Sequence, residues 1–162
     1  MFHLIPPRLH IAGLRLAHAV RLRWWRLAGT RVTGCRVLVI DAEERVLLIR
    51  HSYGTGHWML PGGGMKRGES PLAAAAREVR EECAVMIEAA VEIGTVAEMM
   101  HGANNDVRVV AGWTSDNPQA DGREILEAAF FALHALPDPL ARSLPDLLPG
   151  YLTAAKAARQ PD

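Results

Sequence analysis

Residues 63–85 read GGMKRGESPLAAAAREVREECAV, a glycine-rich loop that runs into a helix-forming segment. Ser70 is the predicted N-cap, and Pro71 suits the first helical position because its missing N–H needs no partner there. Four consecutive alanines add high helix propensity. Apolar residues recur at helical spacing and are expected to anchor the helix to a core: Leu72, Ala75, Ala76, Val79 and Cys83. The sequence therefore predicts a well-formed helix with one buried side.

Three glutamates, Glu78, Glu81 and Glu82, are predicted to lie on the opposite side of this helix. Their carboxylates repel one another, and a nearby cation relieves that repulsion most where water is partly excluded. Mg²⁺ prefers oxygen ligands and often binds through a few carboxylates together with substrate phosphates. Taken alone, such a run is more typical of a solvated helix face with Glu–Arg pairs. The residues around it favour the metal interpretation.

The spacing of this segment resembles the signature box of the Nudix hydrolases, Gly-x5-Glu-x7-Arg-Glu-U-x-Glu-Glu-x-Gly-U, in which U is aliphatic. The matching positions are Gly63, Glu69, Arg77, Glu78, Val79, Glu81, Glu82 and Val85. The departure is Ala84, where the family usually has glycine just past the helix, a position that often adopts a left-handed conformation. Alanine there is expected to shift the helix exit slightly and to leave the chemistry unchanged, because it lies beyond the glutamates.

The resemblance implies a Nudix fold over residues 31–150, an α/β (α+β) architecture in which a mixed β-sheet is sandwiched between helices. It also implies the reaction. Proteins of this family typically hydrolyse a pyrophosphate bond in a nucleoside diphosphate linked to another group, with Mg²⁺ or Mn²⁺ as cofactor and water as the nucleophile.

The metal ligands implied by the resemblance are three carboxylates and one backbone carbonyl: Glu78, Glu81, Glu82 and Gly62. Arg77 is expected to orient the glutamates and the loop through charge-assisted hydrogen bonds, with Glu69 as its partner. Members of the family place the general base either in the box or on a later loop. Glu78 is the first candidate for that role, and Glu124, just before the last core strand, is the alternative as base or as a further metal ligand.

Candidate substrate contacts lie mainly in the loops around the box: Arg50, Tyr53, His57, Gly63 and His101. A lone histidine at a strand end is more often structural, which weakens the case for His101, and Trp58 is expected to pack in the core. Substrate choice in this fold is made by residues scattered beyond the box. ADP-ribose, sugar nucleotides, dinucleotide cofactors and modified nucleoside triphosphates therefore all remain open.

A second class of function is a domain that binds a nucleotide without hydrolysing it and acts as a sensor or regulator. The complete set of glutamates argues against this class. Nothing else in a nucleotide-binding site needs that concentration of negative charge.

At 162 residues with 49% hydrophobic residues, the chain has the size and apolar content of one globular domain. Cys35 and Cys83 belong to no paired metal or redox spacing, so a reducing, cytoplasmic location is expected. No apolar run reaches the ~18 residues that a membrane-spanning helix needs.

Outside the box, the sequence predicts short strands at 36–41, 45–51, 91–101, 106–114 and 128–133. The first two are expected to form a hairpin, and residues 101–105 are expected to form a turn. A helix interrupted by prolines is predicted at 136–148. Residues 151–162 are predicted to form a tail, with a short helix that frays.

Residues 1–30 form a predicted basic amphipathic helix that precedes the domain. Residues 1–36 contain seven arginines and no Asp or Glu, whereas the remaining residues carry 11 basic and 18 acidic side chains, a net charge of −7. The favoured interpretation is a helix that packs on its own domain or on a second subunit, as in a homodimer. Trp24 and Trp25 beside arginines also suit peripheral contact with an anionic membrane surface, and nucleic-acid binding is the least favoured alternative.

If the helix packs on a second subunit, deletion of residues 1–28 is expected to convert a dimer into a monomer. With either packing partner the full chain is expected not to bind anionic vesicles, because the apolar side of the helix is buried against protein. Light scattering measures the mass in solution, and co-sedimentation measures binding to anionic vesicles. Vesicle binding by the full chain but not by the shortened one would contradict this interpretation.

Overall fold

The computed structural model describes residues 33–100 and 103–159, without the side chains of residues 98–100 and 103–105. Over these residues the order of elements is β1 (Gly34–Ile40), β2 (Val46–His51), α1 (Pro71–Cys83), β3 (Glu88–Met100), β4 (Ala103–Trp113), β5 (Ile125–Phe131) and α2 (Leu144–Arg159). A short 3₁₀ helix, Leu133–Ala135, lies between β5 and α2.

The strands form one sheet in the order β3-β4-β1-β2-β5. The central strands β1 and β4 run parallel, with Gly34 opposite Val107 and Ile40 opposite Trp113. The neighbours β1–β2, β2–β5 and β3–β4 are antiparallel. The sheet is therefore mixed, and the start of β1, the end of β2 and the start of β5 lie at the same end of the sheet.

Successive residues of β1 serve opposite faces of the sheet, because side chains alternate along a strand. Val37 and Val39 pack in the core beneath α1, whereas Leu38 and Ile40 pack in the core beneath α2. All four side chains are at most 2% exposed. The predicted architecture, a mixed sheet between helices, is confirmed.

Helix α1 begins as predicted. The Ser70 hydroxyl accepts a hydrogen bond from the Ala73 N–H at 3.2 Å, and Pro71 is the first helical residue. The buried side is formed by Ala74, Ala75, Val79 and Cys83. Leu72 is 40% exposed and Ala76 is also exposed, so these two predicted anchors are wrong. The Leu72 side chain lies partly in solvent, and the buried alanines Ala74 and Ala75 make the close contact with the core instead.

The predicted hairpin of β1 and β2 is confirmed, with Ile40 opposite Val46. The predicted turn at 101–105 is too long, because residues 103–105 belong to β4 and Met100 pairs with Ala103. Residues 101 and 102 lie outside the described residues. Strand β5 begins at Ile125, earlier than the predicted residue 128, because Ile125 is fully buried and pairs with His51.

The C-terminal region differs most from its prediction. Residues 136–143 are not helical; Trp58 pairs with Leu140, and its N–H donates to the Pro139 carbonyl at 2.9 Å. One helix then runs from Leu144 to Arg159 through Pro149. Its buried residues, Leu144, Leu148, Leu152 and Ala155, lie on both sides of the proline. Burial of this stripe keeps the helix continuous while Pro149 stays exposed.

Neither the predicted helix at residues 1–30 nor His101 lies among the described residues. Within the described part of the chain, no helix is long and apolar enough to cross a membrane.

Ala84 ends α1 in the left-handed backbone region, with φ 56° and ψ 27°. Its N–H donates to the Arg80 carbonyl at 3.1 Å. The alanine therefore keeps the left-handed exit that glycine favours, and it does so against the steric cost that a Cβ carries in this region.

Replacing Ala84 with glycine is expected to raise the free energy of unfolding by about 0.5–1 kcal/mol, because glycine adopts this conformation without that cost. The matched control is Ala76→Gly, at an exposed position inside the same helix. That change is expected to lower the free energy of unfolding by a similar amount. Urea unfolding measures both, and equal destabilisation by the two glycines would contradict the assignment.

Candidate active site

The loop before α1 is held along β1 by backbone hydrogen bonds. The Val37 N–H donates to the Pro61 carbonyl, and the Cys35 N–H donates to the Gly63 carbonyl, each at 2.9 Å. Gly62 lies between them with φ +142°, and a Cβ there would collide with the Cys35 carbonyl oxygen. A Cβ at Gly63 would lie 2.6 Å from Glu78 Oε1. Both glycines thus allow the loop to pass closely between β1 and the carboxylates of α1.

Glu82 is the most enclosed carboxylate of this site, with a side chain 10% exposed. Its Oε2 accepts a hydrogen bond from the Gly62 N–H at 2.9 Å. Burial raises the pKa of Glu82 to about 8, and the nearby charges of Glu78 and Glu124 add to that rise. The Gly62 N–H and the charge of Arg36 oppose the rise without cancelling it. Negative charge is therefore unfavourable at Glu82 unless a cation accompanies it.

Arg77 joins the loop to the helix. Its Nε and Nη2 donate to the two carboxylate oxygens of Glu69 at 2.8 and 2.9 Å, the predicted pairing. Nη2 also donates to the Gly64 carbonyl at 3.0 Å, and Nη1 donates to Glu78 Oε1 at 2.7 Å. Burial still raises the pKa of Glu78, although Arg77 opposes the rise. One guanidinium thus fixes two glutamates and one turn of the loop.

Glu69 and Glu81 have different surroundings. The hydrogen bond from Arg77, followed by one from the Lys66 N–H, lowers the pKa of Glu69 to about 2. Glu81 is 56% exposed, and its Oε2 is 3.5 Å from Arg77 Nη1. Of the three predicted metal ligands, the structure encloses Glu78 and Glu82 and leaves Glu81 at the rim.

The negative charge of Glu124 raises the pKa of both Glu78 and Glu82, which indicates that Glu124 lies near this pair. Its Oε1 accepts a hydrogen bond from the Tyr53 hydroxyl at 2.7 Å. The rings of Tyr53 and His51 lie 4.9 Å apart, and His51 Nε2 is 3.9 Å from Glu82 Oε1. Residues from the box, from β2 and from the loop before β5 therefore meet at one place.

The remaining predicted substrate contacts are less closely tied to the carboxylates. Arg50 forms an ion pair with Glu127, and its guanidinium lies 5.9 Å from the centre of the Trp58 ring. His57 is half-buried in the loop that follows β2. Trp58 packs against the core beneath α2, as predicted.

Two residues that sequence reasoning did not name as site residues influence Glu82. His51 Nε2, at the end of β2, lies 3.9 Å from Glu82 Oε1, and the positive charge of Arg36, near the start of β1, opposes the rise in the Glu82 pKa. Both are polar residues at the ends of otherwise apolar strands, VLLIRH and GCRVLVI. That break in the apolar pattern was the signal available in the sequence.

The donor atoms at this site suit a hard divalent cation. Glu78 and Glu82 offer carboxylate oxygens in a partly desolvated place where added positive charge is favourable. Among the residues that the structure describes, no three His, Cys, Asp or Glu side chains already form a metal-binding group. A cation that keeps several waters and shares substrate phosphates requires only a few protein ligands. The residues present therefore fit a divalent cation of this kind.

A separate cavity of about 470 Å³ lies at the other end of β1, near the β1–β2 turn and the end of β4. Trp113, Lys156 and Arg159 are among its lining residues. Lys156 is paired with Glu44, and the Arg159 guanidinium lies 4.5 Å from the centre of the Trp113 ring. None of the box carboxylates lines this cavity.

A family model described as NUDIX domain matches residues 30–151. Diphosphoinositol polyphosphate phosphohydrolase 3-alpha from Homo sapiens is 43% identical over 51 residues, which cover 32% of this chain and 31% of that protein. Diphosphoinositol polyphosphate phosphohydrolase 2 from Rattus norvegicus is 43% identical over 51 residues, which cover 32% of this chain and 28% of that protein. The match thus spans less than a third of these curated relatives.

Solved structures share the fold. A MutT NUDIX hydrolase from Burkholderia pseudomallei superposes with a TM-score of 0.64 and 25% identity, covering 77% of this chain and 98% of that one. A UDP-X diphosphatase superposes with a TM-score of 0.66 and 21% identity, covering 81% of this chain and 65% of that one.

The raised pKa of Glu82 gives the metal-free protein a defined pH dependence. Between the ordinary pKa of 4.5 and about 8, folded Glu82 keeps a proton that the unfolded chain has released. The free energy of unfolding is therefore expected to fall as the pH rises from 5 to 8, and Glu82→Gln is expected to flatten that slope. Denaturant unfolding in a chelating buffer measures it.

Glu81→Gln is the matched control, because Glu81 is adjacent on the same helix but mostly exposed. That variant is expected to keep the slope of the wild type. A Glu82→Gln variant with the wild-type slope would show that another group carries the pH dependence.

Proposed function

Since this chain belongs to the Nudix family, we propose that it is a metal-dependent pyrophosphohydrolase that cleaves a nucleoside diphosphate linked to another group. The observation that carries the proposal is the meeting of Glu78, Glu82 and Glu124 beside the Gly62–Gly63 loop. Partly buried carboxylates of this kind destabilise the site unless a cation neutralises them. The phosphates of a nucleoside diphosphate bind such a cation together with the protein carboxylates.

Glu78 and Glu82 are the proposed principal ligands of Mg²⁺ or Mn²⁺, with Glu81 at the rim and the Gly62 carbonyl as a further donor. When bound, the cation neutralises the diphosphate and lowers the pKa of a bound water. The hydrogen bonds of Arg77 to Glu69, to Glu78 and to the Gly64 carbonyl support a role in holding Glu78 and the loop in position for metal binding. They act through other residues and need not touch the substrate.

Water is the proposed nucleophile, and it must lose a proton as it attacks phosphorus. Glu78 is the first candidate to accept that proton, and Glu124 is the alternative. The raised pKa of Glu78 suits a proton acceptor, because a carboxylate with an ordinary low pKa holds a proton weakly at neutral pH. The hydrogen bond from Tyr53 keeps Glu124 beside the same group of carboxylates.

The substrate is proposed by class. A sugar nucleotide, ADP-ribose, a dinucleotide cofactor and a modified nucleoside triphosphate each present the phosphoanhydride that these residues suit. The names of the relatives add a diphosphoinositol polyphosphate and UDP-linked compounds to the compounds worth assaying. Arg36 and Arg50 lie on β1 and β2 and supply positive charge near this end of the sheet.

We also propose a reducing cytoplasmic location, which two free and buried cysteines, Cys35 and Cys83, support. The proposed partner is a small nucleotide-type molecule. The deletion of residues 1–28 tests whether residues 1–30 form a homodimer contact or a membrane contact.

Glu82→Gln is expected to lower metal-dependent kcat by about 10³-fold or more, because it removes a proposed ligand worth several kcal/mol of transition-state stabilisation. Glutamine keeps the volume and an oxygen that accepts from the Gly62 N–H, so the fold should remain intact. The assay is release of phosphate or nucleoside monophosphate across the compounds named above, with Mg²⁺ and with Mn²⁺.

Glu88→Gln, an exposed change at the start of β3, is the control and should leave kcat unchanged. Near-normal turnover by Glu82→Gln would overturn the metal assignment. Tight binding of a nucleotide by the wild type without hydrolysis would instead favour a sensor or regulatory module.

A further inference from the structure

Strand β5 carries one extra residue opposite the end of β2. Arg50 pairs with Glu127, and the next residue of β2, His51, pairs with Ile125, so that Leu126 is the extra residue. A β-bulge of this kind bends a strand and re-aims the side chains next to it. Leu126 is 42% exposed beside the fully buried Ile125. The bulge brings the residue that precedes the strand, Glu124, opposite the end of β2.

The backbone of Glu124 is fixed from two sides. Its carbonyl accepts a hydrogen bond from the Ser52 N–H at 2.9 Å, and its N–H donates to Asp121 Oδ1 at 3.0 Å. The same oxygen of Asp121 accepts from the N–H groups of Arg123 and Ile125 at 2.9 and 3.0 Å. An aspartate that accepts several nearby backbone N–H groups closes a local turn. The point from which the Glu124 side chain starts is therefore well defined.

The direction of that side chain is set by Tyr53, whose hydroxyl donates to Glu124 Oε1 at 2.7 Å. The Tyr53 ring is itself held against His51, with 4.9 Å between centroids and 31° between planes. His51 in turn lies 3.9 Å from Glu82. A continuous series of contacts thus leads from the most enclosed box carboxylate to Glu124.

We propose that Tyr53 is a positioning residue that holds the Glu124 carboxylate toward Glu78 and Glu82, with Oε2 left to serve the reaction. The inference rests on the proposed function of this site. It replaces the expectation that the Tyr53 hydroxyl contacts substrate, because that hydroxyl donates its proton within the protein. A hydrogen bond from a hydroxyl to a carboxylate is strong enough to select one orientation of a flexible glutamate.

Tyr53→Phe removes the hydroxyl and keeps the ring. We expect kcat to fall about 10- to 50-fold with KM within about twofold, which lies toward the lower end of what one hydrogen bond to a charged group contributes. Glu124→Gln is expected to lower kcat about 100-fold. The double variant is expected to match Glu124→Gln within about twofold, because Tyr53 acts through Glu124.

Mn²⁺ binding without substrate, measured by electron paramagnetic resonance, is the second readout. Tyr53→Phe should follow Glu124→Gln in the direction of any change in Kd, by a smaller factor, and the double variant should again match Glu124→Gln. This readout uses the metal alone, so it does not depend on which substrate is hydrolysed.

The control is Tyr151→Phe, which alters the other tyrosine of the chain. Tyr151 lies on α2 and packs against the core there. It should leave kcat and the Kd for Mn²⁺ unchanged. Effects of Tyr53→Phe and Glu124→Gln that multiply in the double variant would overturn the proposal. So would a Glu124→Gln variant with normal kcat and normal Mn²⁺ binding. Full activity of Glu82→Gln marks failure of the proposed function instead, and the Mn²⁺ titrations then decide the Tyr53–Glu124 coupling by themselves.

Discussion

The guanidinium of Arg77 is the contact on which the arrangement of the site depends. It binds both oxygens of Glu69, the Gly64 carbonyl and one oxygen of Glu78. These partners come from the start of the loop, its acidic turn and the helix, so one charged group fixes three parts of the chain. Its side chain is only 14% exposed, and charge-assisted bonds in such a place are stronger than those of exposed ion pairs.

The positive charge of Arg77 is distributed unequally among the glutamates, and the site takes its character from that inequality. Glu69 receives two hydrogen bonds from Arg77 and has a pKa near 2, whereas Glu82 receives a backbone N–H from Gly62 and has a pKa near 8. Carboxylates of one short segment are thus driven apart in acidity by their surroundings. Glu82, the carboxylate least able to carry a negative charge without a cation, lies at the end of the site that it shares with Glu124 and His51.

The sequence was sufficient for those features that depend on local spacing. The Ser70 cap, the helix over the box and the pairing of Arg77 with Glu69 all follow from residues a few positions apart. Features that depend on tertiary packing could not be predicted from the sequence. The helix through Pro149 exists because a stripe of leucines is buried on the sheet, which overrides the helix-breaking tendency of proline. The contact of Tyr53 with Glu124 joins residues 71 positions apart and needs a bulge that no local pattern announces.

These two classes of feature have separate roles in the chemistry. The box supplies Glu78, Glu82 and the loop that faces them, and within this continuous segment Arg77 joins the loop to the helix. The surroundings of Glu82 come from three strands: Arg36 at the start of β1, His51 at the end of β2 and Glu124 just before β5. Since each of those residues lies at a strand end, each can change without disturbing the buried strand interior. The carboxylates of the box are therefore readable from one stretch of sequence, whereas the environment that sets the acidity of Glu82 depends on how the sheet brings distant strand ends together.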